Sequence, residues 1–333
     1  MYTESDKCLT GRKRQQWEQF LRMSALKPDT DIDQTVTIWD EGEIIATGSR
    51  KGNLLKCIAV DPARQGEGLT AAVLTTLKQE AFREGYSQLF LYTKPRNRIL
   101  FAPLFFYPVA QTDQVLLMES TRNGIQNFLD RLEAGKTEGK TGCIVMNADP
   151  FTLGHQYLAE TAAKQCDRLY IFVLSEDKGF FSAAERLELV KAGTAHLKNV
   201  TVYPTGPYLI SSATFPKYFL KDRETATREH YLLDLAVFTQ WFVPHFDINC
   251  RFAGTEPNCG VTAGYNRTMG ELLPKANVEF VEIQRKMDDA RDRVVSASTV
   301  REEVRSQNWE ALRSLVPETT LRLILNKYNT QEK

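Results

Sequence analysis

Between residues 35 and 49, in TVTIWDEGEIIATGS, apolar positions alternate through Val36 and Ile38 and the chain turns at Glu41–Gly42. Ile44, Ile45 and Ala46 follow, which predicts a β-hairpin. LLKCIAV (54–60) is a third strand. DPARQGEGLTAAVLTTLKQEAFREG then passes through a glycine-containing loop into a helix, because Leu69, Val73, Leu77 and Ala81 recur at helical spacing. QLFLY (88–92) and QVLLME (114–119) add strands, with LFFYPVA between them.

The pattern changes after residue 120. IQNFLDRLEAG suits one short helix, and KTEGKTG is a polar, glycine-containing stretch of linker character. We therefore expect a first domain over 1–120, a linker over 121–142 and a second domain over 143–333. In the second, β and α segments alternate: CIVMN, GHQYLAETAAKQ, RLYIFVL, SAAERLELVKAGTAH, then VTVYP, INCRFAG and VEFVEI. Near-continuous apolar strands predict a parallel sheet covered on both faces. The expected fold class is α/β, a doubly wound parallel sheet preceded by a mixed α+β domain. No internal repeat or low-complexity tract interrupts either pattern.

Composition adds exclusions. The 333 residues carry 42 Lys plus Arg and 42 Asp plus Glu, so no net field points to nucleic acid or a membrane surface. The N-terminal residues lack a signal-peptide core, and no apolar run approaches the ~18 residues of a membrane span. Six cysteines form no C-x-x-C pair, and Cys57, Cys143 and Cys250 lie in strand-like runs, where Cys acts as a small hydrophobe. The four histidines are far apart, so no local metal motif exists. A soluble, reduced, cytoplasmic protein with no protein-held metal is expected. Neither a G-x-S-x-G nucleophile motif nor an arginine-rich nucleic-acid signature is present.

The informative stretch is CIVMNADPFTLGHQYLAETAA. A strand, a short turn and a helix starting near Gly154 bring free backbone amides and the positive helix end to one point, a ready anion site. Asn147 and His155 fall at the carboxyl end of that strand, where doubly wound sheets bind ligands. Gly154 permits close approach of a ligand, Thr152 adds a hydroxyl and His155 an imidazole. A plain helix start with a partly exposed histidine explains the same residues, and local chemistry leaves both readings open.

NADPFTLGHQYL resembles the T/H-x-G-H signature of the nucleotidylyltransferase superfamily, with Thr152 and His155 at its ends. VLSEDKGFFSAAERLELV resembles the segment after that superfamily's second strand, through Lys178, Phe181–Ser182 and Glu185–Arg186. VSASTVRE resembles its I-S-S-T-x-x-R motif over Val295 to Arg301, with Ala297 and Ser298 departing from it. The resemblance implies a Rossmann-like, HUP-type domain using ATP with Mg²⁺. His155, Thr152, Lys178 and Arg301 would be its catalytic residues. Asn147, Phe151, Gly154, Ser296 and Ser298 would contact the nucleotide.

IAVDPARQGEGLTAAVL resembles the strand–Q/R-x-x-G-x-G/A–helix motif of GNAT acetyltransferases, which binds the pyrophosphate of coenzyme A. Gln65, Gly66 and Gly68 fall on the loop, and Thr70 stands where Gly or Ala is usual. The loop suits a phosphate cradle, and a tight loop that merely starts a helix explains the same residues. The order of the two domains resembles the citrate lyase ligase family over essentially the whole chain, including 207–222 and 254–269. That implies activation of acetate by ATP and acetylation of the phosphoribosyl-dephospho-CoA arm on the acyl carrier subunit of citrate lyase. The Gln65–Gly68 loop would then receive the arm. The stretch from Ser211 to Arg223, with Ser212, Thr214, Lys217 and Lys221, fits a lid or a loop leading into a solvated amphipathic helix, and Gly254, Thr255 or Glu256 fit a nucleotide contact or a capped turn.

Three alternatives share these residues. One is adenylyl or cytidylyl transfer onto a phosphorylated acceptor, marked by pyrophosphate release without AMP. Another is an N-acetyltransferase with a regulatory nucleotide-binding domain, which Thr70 opposes. The third is a non-catalytic ATP sensor.

Overall fold

The computed structural model describes all residues except 136–137, 178, 210–214, 216–217, 221, 257–259, 289–292 and 332–333. The chain divides into two compact units, Met1–Asn127 with Thr214–Ala236, and Phe128–Ala213 with Val237–Lys333. Segment 214–236, which the sequence reading puts in the second domain, thus groups with the first.

The first unit contains β1 (Tyr2–Asp6), α1 (Gly11–Met23), β2 (Gln34–Asp40), β3 (Glu43–Lys51), β4 (Leu54–Val60) and α2 (Leu69–Arg83). After these come β5 (Phe90–Thr93), α3 (Arg98–Phe101), β6 (Tyr107–Gln111), β7 (Leu116–Glu119) and α4 (Gly124–Leu129), whose last turn crosses into the second unit. The strands form one mixed sheet in the order β1-β2-β3-β4-β5-β7-β6. Every neighbouring pair is antiparallel except β4 and β5, which the α2 crossover joins in parallel.

Leu69, Val73, Leu77 and Ala81 of α2 are all buried, with Leu74, against Val36, Ile38 and Leu55. At ~1.5–3 kcal/mol per large apolar side chain, that stripe is what docks α2 on the sheet. The predicted hairpin is β2–β3, turning at Glu41–Gly42.

The second unit holds β8 (Thr141–Met146), α5 (Leu153–Ala163), β9 (Arg168–Val173), α6 (Ala183–Thr194) and β10 (Val200–Pro204). α7 (Arg223–Val237) leads from the first unit into α8 (Val243–Phe246), β11 (Cys250–Gly254), α9 (Gly260–Leu272) and β12 (Glu279–Ile283). A two-stranded ribbon of β13 (Met287–Asp288) and β14 (Arg293–Val294) precedes α10 (Ala297–Arg305), α11 (Trp309–Leu312) and α12 (Glu318–Gln331). The order β10-β9-β8-β11-β12 is parallel throughout, the doubly wound sheet that the β/α alternation predicts.

The strand order reverses between β8 and β11. Those two strands pair only at Gly142–Cys250 and Cys143–Arg251, then part toward their carboxyl ends. This opens the crevice at which such sheets bind ligands. Ile144, Leu169, Ile171 and Phe252 fill the core beneath it.

Cys57, Cys143 and Cys250 are buried, and burial pushes each thiol up to about 12, so all three remain protonated packing groups. Among the described residues no helix is long and apolar enough to cross a membrane.

Candidate active site

The β8–α5 turn, Asn147 to Thr152, lies at the mouth of the crevice. Thr152 takes an extended conformation and caps α5 through a reciprocal box. Its hydroxyl accepts the His155 amide at 3.2 Å, and its own amide donates to His155 Nδ1 at 3.1 Å. Thr152 Oγ1 also lies 2.9 Å from that nitrogen. A neutral imidazole whose Nδ1 accepts an amide proton carries its own proton on Nε2. His155 is therefore an oriented Nε2–H donor.

Burial holds the imidazole well below its ordinary value, at about 4, and the charge of Arg285 pushes in the same direction. The ring is neutral at physiological pH. Phe151, expected to contact the nucleotide, has no exposed surface. It instead stacks behind His155 at 5.8 Å between ring centroids and fixes its plane.

Two helix N-termini meet at this point. In the first turn of α5, the Leu153 amide is taken by the Leu315 carbonyl at 2.9 Å and the His155 amide by Thr152. The amide of Gly154 has no such partner among the described residues and remains available to an anion. A Cβ at Gly154 would lie 2.8 Å from the Val295 carbonyl oxygen, so glycine here lets the start of α5 approach the segment leading into α10.

Ser296 caps α10 by accepting the Thr299 amide at 3.1 Å. Ser298 accepts Arg301 Nη2 at 3.1 Å, and Arg301 Nη1 donates to the Asp149 carbonyl. The Arg301 guanidinium also lies 3.8 Å from the Asp149 carboxylate. Thr152, Gly154, His155, Ser296, Ser298 and Arg301 thereby lie around the two helix starts.

Asn147 splits its duties. Its side-chain oxygen and its carbonyl accept Arg186 Nη1 at 2.6 and 2.8 Å, while the residue itself is exposed. Arg186 is fully buried and also reaches the carbonyls of Phe181 and Glu176. The Glu–Arg pair of the second motif is thus a strut: Arg186 braces the turn, and Glu185 completes the cap of α6 with Ser182 while pairing with Lys327 at 3.0 Å. Lys178 lies outside the described residues. So do Ser211, Ser212, Thr214, Lys217 and Lys221 of the lid expectation.

Motif reading misses two groups. The Asp149 carboxylate accepts the amides of Phe181 and Phe180 at 2.8 and 2.9 Å, joining the β8–α5 turn to the loop before α6. Arg285, just past β12, donates to the Thr255 carbonyl at 2.6 Å and pairs with Glu256. That pairing engages Glu256 rather than leaving it free for a nucleotide. No fixed spacing marks either residue; their places follow from strand order.

Gln65, Gly66 and Gly68 belong to the first unit. Both glycines have positive φ, +93° and +76°, and Gly68 is the N-cap of α2, so the loop is a tight left-handed entry to that helix. Gln65 is exposed. Among the described residues no group of three or more His, Cys, Asp or Glu side chains is placed to hold a metal ion.

Residues 141–324 match the family model for the citrate lyase ligase C-terminal domain, and residues 2–101 that of the acetyltransferase (GNAT) family. The chain is 41% identical over 319 residues to citrate (pro-3S)-lyase ligase of Klebsiella pneumoniae, covering 94% of this chain and 93% of that protein. It is 36% identical over 323 residues to the Escherichia coli K12 protein of the same name, covering 95% and 91%. A shorter similarity, 34% over 103 residues, links it to phosphopantetheine adenylyltransferase of Clostridium botulinum, covering 30% of this chain and 65% of that protein.

Proposed function

The chain belongs to the citrate lyase ligase family, and from that premise we propose that it activates acetate with ATP and uses the acetyl group to activate citrate lyase. An acetate oxygen attacks the α-phosphorus, the bond to the β-phosphate oxygen breaks, and pyrophosphate leaves. The thiol of the phosphoribosyl-dephospho-CoA arm on the acyl carrier subunit then attacks the acetyl carbon. Its proton is lost, the bond to AMP breaks and a thioester remains.

The observation that carries this reading is the meeting of the α5 and α10 N-termini around an oriented Nε2–H donor. Phosphoryl transfer needs positioning and charge stabilisation more than covalent help. His155 Nε2–H and the Gly154 amide would hold the α-phosphate oxygens as charge redistributes. Arg301, with Ser296 and Ser298, would hold the β- and γ-phosphates, and Lys178 the departing pyrophosphate. The donor set suits a triphosphate: amides, hydroxyls, an imidazole and a guanidinium, with Asp149 already engaged. Mg²⁺ would be held by phosphate oxygens and would neutralise charge on the leaving group.

Incubation with ATP, labelled acetate and deacetylated carrier protein should give equal amounts of AMP and acetyl thioester. Pyrophosphate release onto a phosphorylated acceptor with no AMP would instead favour adenylyl transfer, the reading that the adenylyltransferase similarity supports.

A further inference from the structure

The first unit contains a cavity of about 680 Å³ that shares no residue with the Gln65–Gly68 loop. Its volume falls in the ~300–1,000 Å³ range of small-ligand sites and far exceeds what a two-carbon acid fills. Four cations line it: Arg22 and Lys27 around the end of α1, and Lys94 and Arg96 just after β5. Asp113, in the β6–β7 turn, is the one acidic residue of the lining among the described residues.

Arg22 is paired with Glu18 at 3.0 Å, and Lys27 Nζ donates to the Leu220 carbonyl at 3.1 Å. The side chains of Lys94 and Arg96 have no hydrogen bond or ion pair among the described residues. They are the cations free to meet a ligand. Leu26, Pro95, Tyr218 and Phe219 give the cavity an apolar wall. That wall is anchored, because Lys27 donates its amide to the Tyr218 carbonyl at 2.9 Å and the Tyr218 ring is buried with Trp17, Leu21 and Cys57.

An apolar wall edged by unpaired cations repels an amine and suits an elongated molecule with phosphate at one end. We propose that this cavity binds the phosphate-bearing portion of the carrier arm, with Lys94 and Arg96 on the phosphates and the pantetheine chain along Tyr218 and Phe219. The assignment rests on the ligase reading for the identity of the arm.

The test is calorimetric titration of the full chain with dephospho-CoA at low and high salt. Wild type should bind, Lys94→Gln/Arg96→Gln should bind at least tenfold more weakly with a shallower salt dependence, and Asp113→Asn should bind more tightly. Absence of binding to wild type, or equal affinity in the double variant, overturns the proposal. So does an ATP titration whose affinity falls in parallel with that for dephospho-CoA in the double variant, since that would make the cavity a nucleotide site. The ligase reading fails separately, if wild type forms no AMP from ATP and acetate with the carrier protein.

Discussion

Arg301 donates a hydrogen bond to the backbone carbonyl of Asp149, tying the first turns of α10 to the turn that launches α5. These residues are 152 positions apart, and their bond makes one site of two motifs. The Asp149 carboxylate continues the link to the loop before α6 through the amides of Phe180 and Phe181.

Asp149→Ala should leave those two amides unpaired in a largely buried setting, destabilising the second unit by about 1–3 kcal/mol. Chemical denaturation followed by fluorescence reads this. Acetate-dependent turnover should fall by more than the lost stability explains, because Arg301 loses part of its support. Unchanged turnover in the folded variant would separate Asp149 from the site.

Desolvation and the charge of Arg285 hold the imidazole of His155 well below its ordinary value, at about 4. Its folded value is depressed, so the unfolded chain takes up the proton first. The stability contribution of the neutral ring is complete above the unfolded value of ~6.5 and is lost as pH falls from there through 4. Nitrogen-15 NMR of the ring should show the Nε2–H tautomer from pH 8 to pH 5. A midpoint near 6.5 would contradict the desolvation of the ring, and an Nδ1–H tautomer would contradict its orientation.

Thr152→Val keeps the size of the side chain but removes the oxygen that caps α5 and lies against Nδ1. The cap is worth ~1 kcal/mol of stability. The larger effect should be on kcat, at least tenfold, with a smaller change in the KM for ATP, while Thr152→Ser retains most activity. Steady-state kinetics of the three proteins decide this.

Gly154→Ala would place a methyl 2.8 Å from the Val295 carbonyl oxygen. α5 and the α10 approach must then separate, costing about 1–3 kcal/mol. Loss of ATP protection against thermal unfolding, in a chain that still folds, is the expected result.

Local periodicity made much of the fold legible. The stripe of Leu69, Val73, Leu77 and Ala81 marks α2, and the apolar runs around Cys143 and Ile171 mark strands buried on both faces. Thr152, His155 and Arg301 each sit in a local motif in the first turns of a helix, which is why the sequence singles them out. Asp149 and Arg285 were not, since their partners lie on other elements and are chosen by strand order. Phe151 shows the converse limit: its position beside the motif suggested a nucleotide contact, but packing turns its ring behind His155. The grouping of 214–236 with the first unit depends on contacts such as Tyr218 with Trp17 and Cys57, which no local pattern encodes.

Exchange of labelled pyrophosphate into ATP, with acetate and Mg²⁺ and no carrier protein, tests the central claim most directly. Wild type should exchange only when acetate is present, and His155→Ala should lose at least a hundredfold of that rate while still folding. Equal exchange in the variant, or exchange indifferent to acetate, would contradict an acetyl-adenylate made at His155.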